Sequence, residues 1–311
     1  MRILCTGGAG YTGSILVHEL LNKGYNVTVF DNLMYKQQSL LGCCYYNNFR
    51  FVRADVRNFS LLKEEVTKHD VIIPLAALVG MPLCKNKPEE AWQINYEQIK
   101  EILSVKTKDQ LLIYPNTNSG YGQGDGAIFT EESKLNPISV YGKTKVESEK
   151  IVIDAENTTV FRLATVFGTS HRQRMDLLVN EFVWKAWWDK YITLFESHFK
   201  RNYVHVRDVA NLYIWCIENW HKVKGEIFNF GLSSANLSKM ELCQKIKEYI
   251  PEFNIVEANI AADPDQRNYI VLNDKIESRG FKAIISVDYG IQELIKSFSM
   301  LNMNRYSNNI I

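Results

Sequence analysis

The first half of the chain alternates short β-branched runs with longer stretches whose apolar residues recur every three or four positions. Short apolar runs predict strands, and the three- and four-residue spacing predicts amphipathic helices. The predicted strands are 2–5, 26–30, 49–54, 71–75, 110–114 and 158–163. The predicted helices are 11–22, 60–67, 89–104 and 141–155. This alternation predicts an α/β fold built on a doubly wound parallel sheet with crossover helices.

The pattern becomes less regular after Ala164. An aromatic run at 182–188 predicts a packed helix. Later segments predict a short strand at 203–206 and two further helices at 239–249 and 290–300. The second half of the chain is therefore expected to form a separate and smaller unit.

The length of the chain agrees with this division, because 311 residues exceed the ~150 of a typical domain about twofold. We predict a nucleotide-binding domain over 1–165 and a smaller C-terminal α/β domain for the substrate over 166–311. Segments around 203–230 are expected to return to the first domain.

The composition adds exclusions rather than a function. Thirty-six basic residues stand against 35 acidic ones, so the charge predicts no binding of nucleic acid or of an anionic membrane. The chain contains no stretch of ~18 apolar residues, and its amino terminus is typical of a strand rather than a signal peptide. The six cysteines have no metal-binding spacing. We expect a cytoplasmic protein that holds no metal.

A glycine-rich turn, TGGAGYTG at 6–13, joins the first predicted strand to the first predicted helix. Residues without a Cβ allow a tight turn and let backbone N–H groups approach a pyrophosphate closely. The order of strand, glycine turn and helix is typical of the Rossmann dinucleotide-binding fold. The residues expected to contact the dinucleotide here are Gly7, Gly10, Tyr11, Thr12 and Gly13.

Asp31 ends the second predicted strand, 18 residues after the last glycine of the turn. A carboxylate at this place accepts hydrogen bonds from the adenosine ribose hydroxyls and repels a 2′-phosphate. Because Asn32 and Leu33 follow instead of an arginine, NAD is favoured over NADP as the cofactor. Asn32 and Leu33 are expected to contact it as well. A plain turn with a capping aspartate would explain either feature alone. Asp55, after the third strand, is positioned to read the adenine amino group or to cap a helix.

Tyr141 and Lys145 lie four residues apart on a predicted helix, so their side chains project from the same face. An ammonium near a phenol favours the phenolate, and a lowered pKa makes the tyrosine a workable base. The alternative is an exposed pair without function. The fifth strand ends in TNSGYG at 117–122, which supplies hydroxyl groups at the edge of the sheet where ligands bind.

Together these motifs resemble the extended short-chain dehydrogenase/reductase family, in its NAD-dependent epimerase/dehydratase group that modifies nucleotide-activated sugars. The resemblance covers nearly the whole chain. Its matching segments are TGGAGYTG, FDNL at 30–33, ADV at 54–56, LAA at 75–77, TNSGYG, YGKTK at 141–145, RLATVFG at 162–168 and RNYVHVRDVA at 201–210.

The resemblance implies a catalytic triad. Thr117 would hydrogen-bond the reacting hydroxyl, Tyr141 would take its proton, and Lys145 would hold the nicotinamide ribose and lower the pKa of Tyr141. Further residues implied to line the cofactor are Val56, Leu75, Ala76, Ala77 and Val79.

The resemblance also implies a nucleotide-diphosphate sugar as the partner of the second domain. Arg201 and Arg267 match positions where the family uses arginine against the pyrophosphate, which suits a planar bidentate donor. Surface ion pairs are the alternative for both. Asn180 is expected to cap a helix that faces the same phosphates. A homodimer is expected, through the apolar faces of the helices at 89–104 and 141–155.

The chain departs from the family pattern around the sugar. Dehydratases of this family carry an Asp-Glu pair directly after the triad threonine, whereas this chain has Asn118 and Ser119, which disfavours elimination of water. Thr165 replaces the substrate-side asparagine, and Pro74 replaces the histidine before Leu-Ala-Ala. These segments resemble a subgroup of GDP-heptose 4-dehydrogenases from surface-polysaccharide pathways.

The leading hypothesis is the NAD-dependent oxidation of the C4 hydroxyl of a nucleotide-linked hexose or heptose to a 4-ketone. A 4-epimerase shares the first half of this reaction and is the nearest alternative. A non-catalytic NAD sensor is a more distant one, since it would not need the tyrosine and lysine pair.

Overall fold

The structure, a computed structural model, describes residues 1–124, 126–258 and 267–301. Its strands are β1 (Arg2–Thr6), β2 (Asn26–Asp31), β3 (Phe49–Arg53), β4 (Val71–Pro74), β5 (Leu111–Thr117), β6 (Ala127–Phe129), β7 (Thr158–Leu163), β8 (Thr165–Phe167), β9 (Tyr191–Leu194), β10 (Lys200–His205), β11 (Ile227–Phe230), β12 (Asn236–Ser238), β13 (Asn254–Glu257) and β14 (Tyr269–Val271). Its helices are α1 (Tyr11–Asn22), α2 (Phe59–Thr67), α3 (Met81–Asn86), α4 (Pro88–Trp92), α5 (Gln98–Val105), α6 (Val140–Ile153), α7 (Leu178–Trp188), α8 (Val206–Glu218), α9 (Lys239–Tyr249), α10 (Asp274–Ser278) and α11 (Val287–Phe298). The parts of the predicted second domain at 259–266 and 302–311 lie outside the described residues.

Seven strands form one parallel sheet in the order β11-β7-β5-β4-β1-β2-β3. The chain runs outward from β1 to β3 and then crosses to β4 on the other side of β1, so the direction of winding reverses there. The predicted doubly wound α/β sheet is thus confirmed. Ligands of open parallel sheets bind beyond the carboxyl ends of the strands at such a reversal.

The strands and helices predicted in the first half are present, and their ends differ from the predicted ones by at most three residues. One helix is less regular than its apolar periodicity suggests. The predicted helix at 89–104 consists of α4, a π-helical turn at Gln93–Glu97, and α5. Widened turns of this kind often mark functional regions. Here the turn carries Asn95, whose buried side chain accepts a hydrogen bond from the Leu78 N–H, in the segment that follows β4.

The second half contains several short elements that the periodicity did not predict. The strand expected at 203–206 begins earlier, and α8 starts at Val206 because the His205 side chain caps it by accepting the Arg207 N–H at 3.2 Å. After α8 the chain adds β11 to the large sheet, parallel to β7. The division into two domains and the homodimer stay predictions.

The described residues form three smaller sheets besides the large one, in the orders β12-β10-β8, β13-β9 and β14-β6. The pairing of β14 with β6 brings the segment near Tyr269 over the end of β5. The Tyr269 hydroxyl donates to the carbonyl oxygen of Asn118 at 3.0 Å. The beginning of the described segment 267–301 therefore covers the carboxyl edge of the large sheet.

Both faces of the large sheet are buried, as an α/β sheet with helices on each side requires. Ile3 and Cys5 of β1 face the layer that holds α1 and α8, and Leu4 faces the layer that holds α2, α5 and α6. Within the described ranges, no helix is both long and apolar enough to cross a membrane.

Candidate active site

A cavity of about 620 Å³ opens at the carboxyl edge of the large sheet, at the reversal between β1 and β4. Most residues that the motifs predicted as functional line it. They are Gly7, Gly10, Tyr11, Thr12, Gly13, Asp31, Asn32, Asp55, Val56, Leu75, Ala76, Ala77, Val79, Thr117, Asn118, Ser119, Tyr141, Lys145, Thr165, Arg201 and Arg267. Two predicted residues, Leu33 and Asn180, are not part of this lining.

The glycine turn has the tight geometry expected of a phosphate cradle. Gly7 adopts a φ of +67°, which is favourable only for glycine. A Cβ at Gly13 would lie 2.6 Å from the carbonyl oxygen of Gly7. Gly10 is the N-cap of α1, so no cap side chain lies between the first N–H groups of this helix and the cavity. The cradle thus presents the positive end of a helix dipole to the cavity.

Asp31 joins this turn to the end of β2. Its carboxylate accepts the Ala9 N–H at 3.1 Å and the Leu33 N–H at 2.8 Å, and the residue is only 7% exposed. Burial raises the pKa of Asp31, and the two backbone donors oppose that rise. Leu33, with a φ of +54°, forms part of the turn that holds Asp31, and its neighbours Met34 and Tyr35 line the cavity. Its contact with the cofactor stays a prediction.

Asp55 is held by side chains at the same edge. Arg57 donates to it through two nitrogens, each at 2.9 Å, and the Asn32 amide donates at 2.9 Å. These hydrogen bonds lower the pKa of Asp55 to about 2, and the bond from the Arg57 side chain has the largest effect. An ionised carboxylate is therefore fixed beside Val56, where it can accept a hydrogen bond from a ligand amino group.

The three predicted catalytic side chains lie together in the cavity. Thr117 ends β5, and Tyr141 and Lys145 lie on α6. The Thr117 hydroxyl donates to Ser119 Oγ at 3.1 Å, and a hydrogen bond between Thr117 and Tyr141 favours the phenolate. The Lys145 ammonium lies 4.0 Å above the centre of the Tyr114 ring, and Lys145 is 4% exposed.

The expected lowering of the Tyr141 pKa by Lys145 is not found in the protein alone. Burial raises the pKa of Tyr141 to about 12 and lowers that of Lys145 to about 7. Arg174 and Arg267, rather than Lys145, are the cations whose charges lower the pKa of Tyr141. The desolvation of each group outweighs its attraction to neighbouring charges, because a dry site disfavours every charged form.

Buried hydrogen bonds fix α6 relative to the sheet. Ser139 caps the helix by accepting the Gly142 N–H at 3.0 Å. Asn95, on the π-helical turn, donates to Thr144 of α6 at 3.1 Å and accepts the Leu78 N–H at 2.8 Å. Because these bonds join α6 to the segment after β4, Asn95 holds the tyrosine and lysine in position relative to the cofactor-lining residues. No motif in the sequence had singled out Asn95.

An ion pair beneath the triad joins α6 to β7. Glu149, one turn after Lys145, accepts two hydrogen bonds from Arg162, at 3.0 and 2.6 Å. Both side chains are at least 95% buried. The remaining nitrogen of Arg162 donates to the Tyr121 hydroxyl at 2.9 Å and to the Glu131 carbonyl at 3.0 Å. A buried pair with this many partners orders the floor of the site.

The residues expected to bind the sugar nucleotide line the cavity next to the triad. Arg267 donates through Nη1 to Ser119 Oγ at 2.5 Å, and Arg201 is almost fully buried. Arg267 is partly buried. Asn118 is 4% exposed, and both polar atoms of its side chain lack a hydrogen-bond partner among the described residues. Asn118 therefore offers the cavity one amide donor pair and one carbonyl acceptor.

The sequence suggested that Asn180 caps a helix, but the structure shows that it does not. It lies inside the first turn of α7 and is fully buried. Its side chain accepts the Gly168 N–H at 3.0 Å and donates to the Arg174 carbonyl at 2.8 Å. Since these bonds occupy the amide, Asn180 shapes the segment between β8 and α7, and its role toward the substrate phosphates stays a prediction.

The comparisons with known proteins agree with this architecture. The model of the NAD dependent epimerase/dehydratase family matches residues 3–231. The chain belongs to this family. It is 26% identical to CDP-paratose 2-epimerase of Salmonella typhi, over 94% of this chain and 98% of that protein. It is 27% identical to a putative UDP-glucose 4-epimerase of Methanocaldococcus jannaschii, over 97% and 99% of the two chains.

Solved structures show the same fold. UDP-glucuronic acid 4-epimerase from Bacillus cereus, in complex with UDP-glucuronic acid and NAD, superposes with a TM-score of 0.85. It shares 23% identity over 97% of this chain and 100% of its own. dTDP-glucose 4,6-dehydratase from Bacillus anthracis in complex with NAD has a TM-score of 0.82 and 23% identity, with 96% and 97% covered.

The cofactor of the epimerase/dehydratase family is NAD, as the motifs predicted, and this chain has the groups that NAD requires. The glycine cradle at the start of α1 suits a diphosphate, and the buried Asp31 suits a ribose diol at the next strand end. Both groups line the same cavity as Tyr141 and Lys145. The residues present therefore fit a dinucleotide that extends from β2 to α6.

The motifs of this epimerase/dehydratase chain had not revealed one cluster of cavity residues. Arg172, Arg174 and Asp176 line the cavity from the segment that follows β8. Arg174 is paired with Asp176 through two nitrogens, at 3.1 and 2.8 Å. Charged residues at every second position of a loop are not a motif that indicates a particular function. The only signal in the sequence was the unusual density of charge in the run HRQRMD at 171–176.

Proposed function

We propose that this protein oxidises the C4 hydroxyl of a nucleotide-activated sugar to a 4-keto sugar. GDP-heptose or a similar sugar nucleotide is the proposed substrate, and surface-polysaccharide biosynthesis is the proposed setting. One observation carries the proposal: Thr117, Tyr141 and Lys145 line the same cavity as the glycine cradle and Asp31. A dinucleotide and a proton acceptor can therefore act on one substrate carbon.

The proton chemistry is assigned to the triad. The Tyr141 phenolate takes the proton of the C4 hydroxyl, Thr117 hydrogen-bonds that oxygen, and the C4–H bond breaks as the C–O double bond forms. When bound, NAD accepts the hydrogen and its electron pair from C4. Because the pKa of Tyr141 is about 12 in the protein alone, positive charge must stabilise its phenolate during turnover. Lys145, once it is protonated, supplies such charge next to the reacting atoms.

The cofactor-binding roles follow from the order of residues along the cavity. Gly7, Gly10 and Gly13, with Tyr11 and Thr12, would hold the diphosphate. Asp31 and Asn32 would hold the adenosine ribose, and Asp55 and Val56 would contact the adenine. Leu75, Ala76, Ala77 and Val79 would line the middle of the cofactor, and Lys145 would hold the nicotinamide ribose. The shared cavity and the hydrogen bonds that orient Asp31 and Asp55 support this assignment.

The substrate-binding roles fall to residues from both halves of the chain. Arg201 and Arg267 would neutralise the diphosphate of the sugar nucleotide, and Asn118, Ser119 and Thr165 would contact the sugar. The hydrogen bond from Arg267 to Ser119 supports a position where phosphate and sugar meet. The unpartnered amide of Asn118 supports a polar contact to a sugar hydroxyl.

A 4-epimerase is the second candidate function. Relatives named as epimerases cover nearly the whole chain. Epimerisation begins with the same oxidation at C4 and ends with reduction of the ketone on its other face. A 4,6-dehydratase is disfavoured, because the amide of Asn118 and the hydroxyl of Ser119 cannot replace a carboxylic acid and a carboxylate.

A dehydrogenase and a 4-epimerase differ in the product that accumulates. The purified protein is incubated with NAD and a panel of GDP- and UDP-sugars, while NADH absorbance and the NMR spectrum of the sugar are followed. A ketone that forms together with an equal amount of NADH supports the dehydrogenase. A sugar inverted at C4 without net NADH supports the epimerase. If no sugar nucleotide reduces the cofactor or changes its own configuration, both proposals are wrong.

A further inference from the structure

The segment between β8 and α7, residues 168–177, is fixed to the helix that begins at the glycine cradle. The Tyr11 hydroxyl donates to the Gly168 carbonyl at 2.7 Å, and the Ser170 hydroxyl donates to the Tyr11 carbonyl at 2.6 Å. One turn further along α1, the Ser14 and Ser170 hydroxyls lie 3.0 Å apart. We name residues 168–177 the clasp, because these bonds hold it against the end of α1 that borders the cavity.

The clasp directs Arg172 into the cavity. Arg172 is only 6% exposed, and it lines the cavity together with the glycine cradle. Its guanidinium lies 4.2 Å from the centre of the Tyr35 ring, which belongs to the segment after β2. Arg172 thus joins the clasp to the segment after β2, near the carboxylate of Asp31.

Arg172 has no ionic partner among the described residues, in contrast to its neighbour. Arg174 forms a two-nitrogen ion pair with Asp176, whereas Nη2 of Arg172 is buried without a hydrogen-bond partner among those residues. Burial and the charge of Arg174 lower the pKa of Arg172 to about 10, so Arg172 remains a cation at neutral pH. The carboxylates of Asp31 and Asp176 act on this charge from a distance but form no ion pair with it, and an anionic ligand would lower the cost of keeping the cation buried.

We propose that Arg172 is a cofactor-binding residue that contacts the diphosphate of NAD together with the glycine cradle. The cradle offers backbone N–H groups at the start of α1, and the clasp, bonded to Tyr11 and Ser14, holds the guanidinium at the same cavity. A planar guanidinium can form two parallel hydrogen bonds with phosphate oxygens. The proposal concerns the cofactor alone and is independent of which sugar the enzyme oxidises.

A structural role for Arg172 and a ligand-binding role predict different effects on the protein without nucleotide. Removal of an unpartnered buried cation should leave the melting temperature of the nucleotide-free protein unchanged or raise it. If Arg172 instead served mainly to hold the clasp through its contact with Tyr35, the same change would lower the melting temperature. Arg172→Gln keeps a long polar side chain and removes only the charge and the fork of donors.

The test measures binding by calorimetry to nucleotide-free full-length protein. For Arg172→Gln, the dissociation constants of NAD and ADP-ribose should rise about 10- to 100-fold, whereas that of adenosine should stay the same. Arg172→Lys should give an intermediate value for NAD, since lysine keeps the charge without the planar fork. Arg279→Gln is the matched control, because Arg279 forms an exposed ion pair with Glu226. This variant protein should bind all three ligands as the wild type does.

Four outcomes would overturn the proposal. Unchanged NAD and ADP-ribose binding in Arg172→Gln would show that the guanidinium does not contact the cofactor diphosphate. A selective loss of GDP or UDP binding would assign Arg172 to the substrate diphosphate. A large loss confined to NADP would assign it to a 2′-phosphate near Asp31. A lower melting temperature together with equal weakening of adenosine and NAD would indicate a structural role.

Discussion

Arg267 donates a hydrogen bond to Ser119 at 2.5 Å, two residues along the chain from the triad threonine. Because Ser119 Oγ also accepts the Thr117 hydroxyl at 3.1 Å, the arginine is connected to the reacting end of the cavity and not only to the phosphate end. The sequence had assigned Arg267 to the substrate pyrophosphate alone. The contact adds a position from which Arg267 can also influence the chemical step.

Arg267→Gln should therefore affect both kinetic constants. Loss of a charged hydrogen bond costs about 1.5–3 kcal/mol, so we expect kcat/KM for the sugar nucleotide to fall roughly 10- to 150-fold. Part of this loss should appear in kcat, because the change also removes the hydrogen bond to Ser119. Steady-state kinetics would check this, with Arg279→Gln as a surface control. A higher KM with an unchanged kcat would restrict Arg267 to binding the diphosphate.

Asp31 should decide the choice between NAD and NADP. Asp31→Asn removes the charge that repels a 2′-phosphate, and its single side-chain oxygen can keep one of the two backbone N–H bonds, because Ala9 and Leu33 donate to different oxygens of the carboxylate. We expect the ratio of NAD affinity to NADP affinity to fall at least about tenfold, which corresponds to about 1.4 kcal/mol. Calorimetric titration with both cofactors measures this ratio. Asp70→Asn, at an exposed ion pair with Arg2, should leave it unchanged. An unaltered ratio in Asp31→Asn would contradict the assignment.

Lys145 should make the stability of the nucleotide-free protein depend on pH. Its pKa is about 7 in the folded protein and 10.5 in the reference state, because burial disfavours the ammonium. Between these values the unfolded chain binds the extra proton, so the free energy of unfolding contributed by this group rises with pH. The rise between pH 7 and pH 9 should be about 2 kcal/mol.

Lys145→Met should lack this contribution, so the difference between wild type and variant isolates it from other titrating groups. Urea unfolding at several pH values measures the difference. Lys63→Met, at a partly exposed ion pair with Glu101, is the control and should parallel the wild type. A constant difference between wild type and Lys145→Met across this pH range would show that the buried lysine keeps an ordinary pKa.

The ion pair beneath the triad should be essential for stability. Glu149→Gln would leave the Arg162 guanidinium buried with its charge uncompensated, and breaking such a pair costs about 3–5 kcal/mol. The urea midpoint should fall accordingly. Glu147→Gln, two residues away in an exposed pair with Lys150, should change the unfolding free energy by less than about 0.5 kcal/mol. Equal midpoints for the two variants would mean that other interactions hold the floor of the site.

Features with a fixed local chemistry could be predicted from the sequence. The glycine turn, the carboxylate after β2 and the tyrosine and lysine on α6 each need particular residue types at a defined spacing. All of them line the cavity. The parallel sheet could also be predicted, because its buried strands are short apolar runs separated by amphipathic helices.

Features that depend on distant contacts could not be predicted. Strands of three or four residues such as β8 and β14 are too short to show a period, and they exist because their partners lie far away in the chain. Asn180 resembled a helix cap, but bonds to Gly168 and Arg174 place it inside the helix. The pKa of Tyr141 was expected to fall because of Lys145, and it rises because burial is the larger effect.

The account rests most heavily on Tyr141 as the base, and one measurement tests it directly. Wild type and Tyr141→Phe, both loaded with NAD, are mixed with the sugar nucleotide that the panel identifies, and NADH formation is followed in a single turnover. The account predicts that the variant binds NAD as tightly as the wild type and forms NADH at least about 1,000-fold more slowly. Equal rates of NADH formation in the two proteins would contradict it.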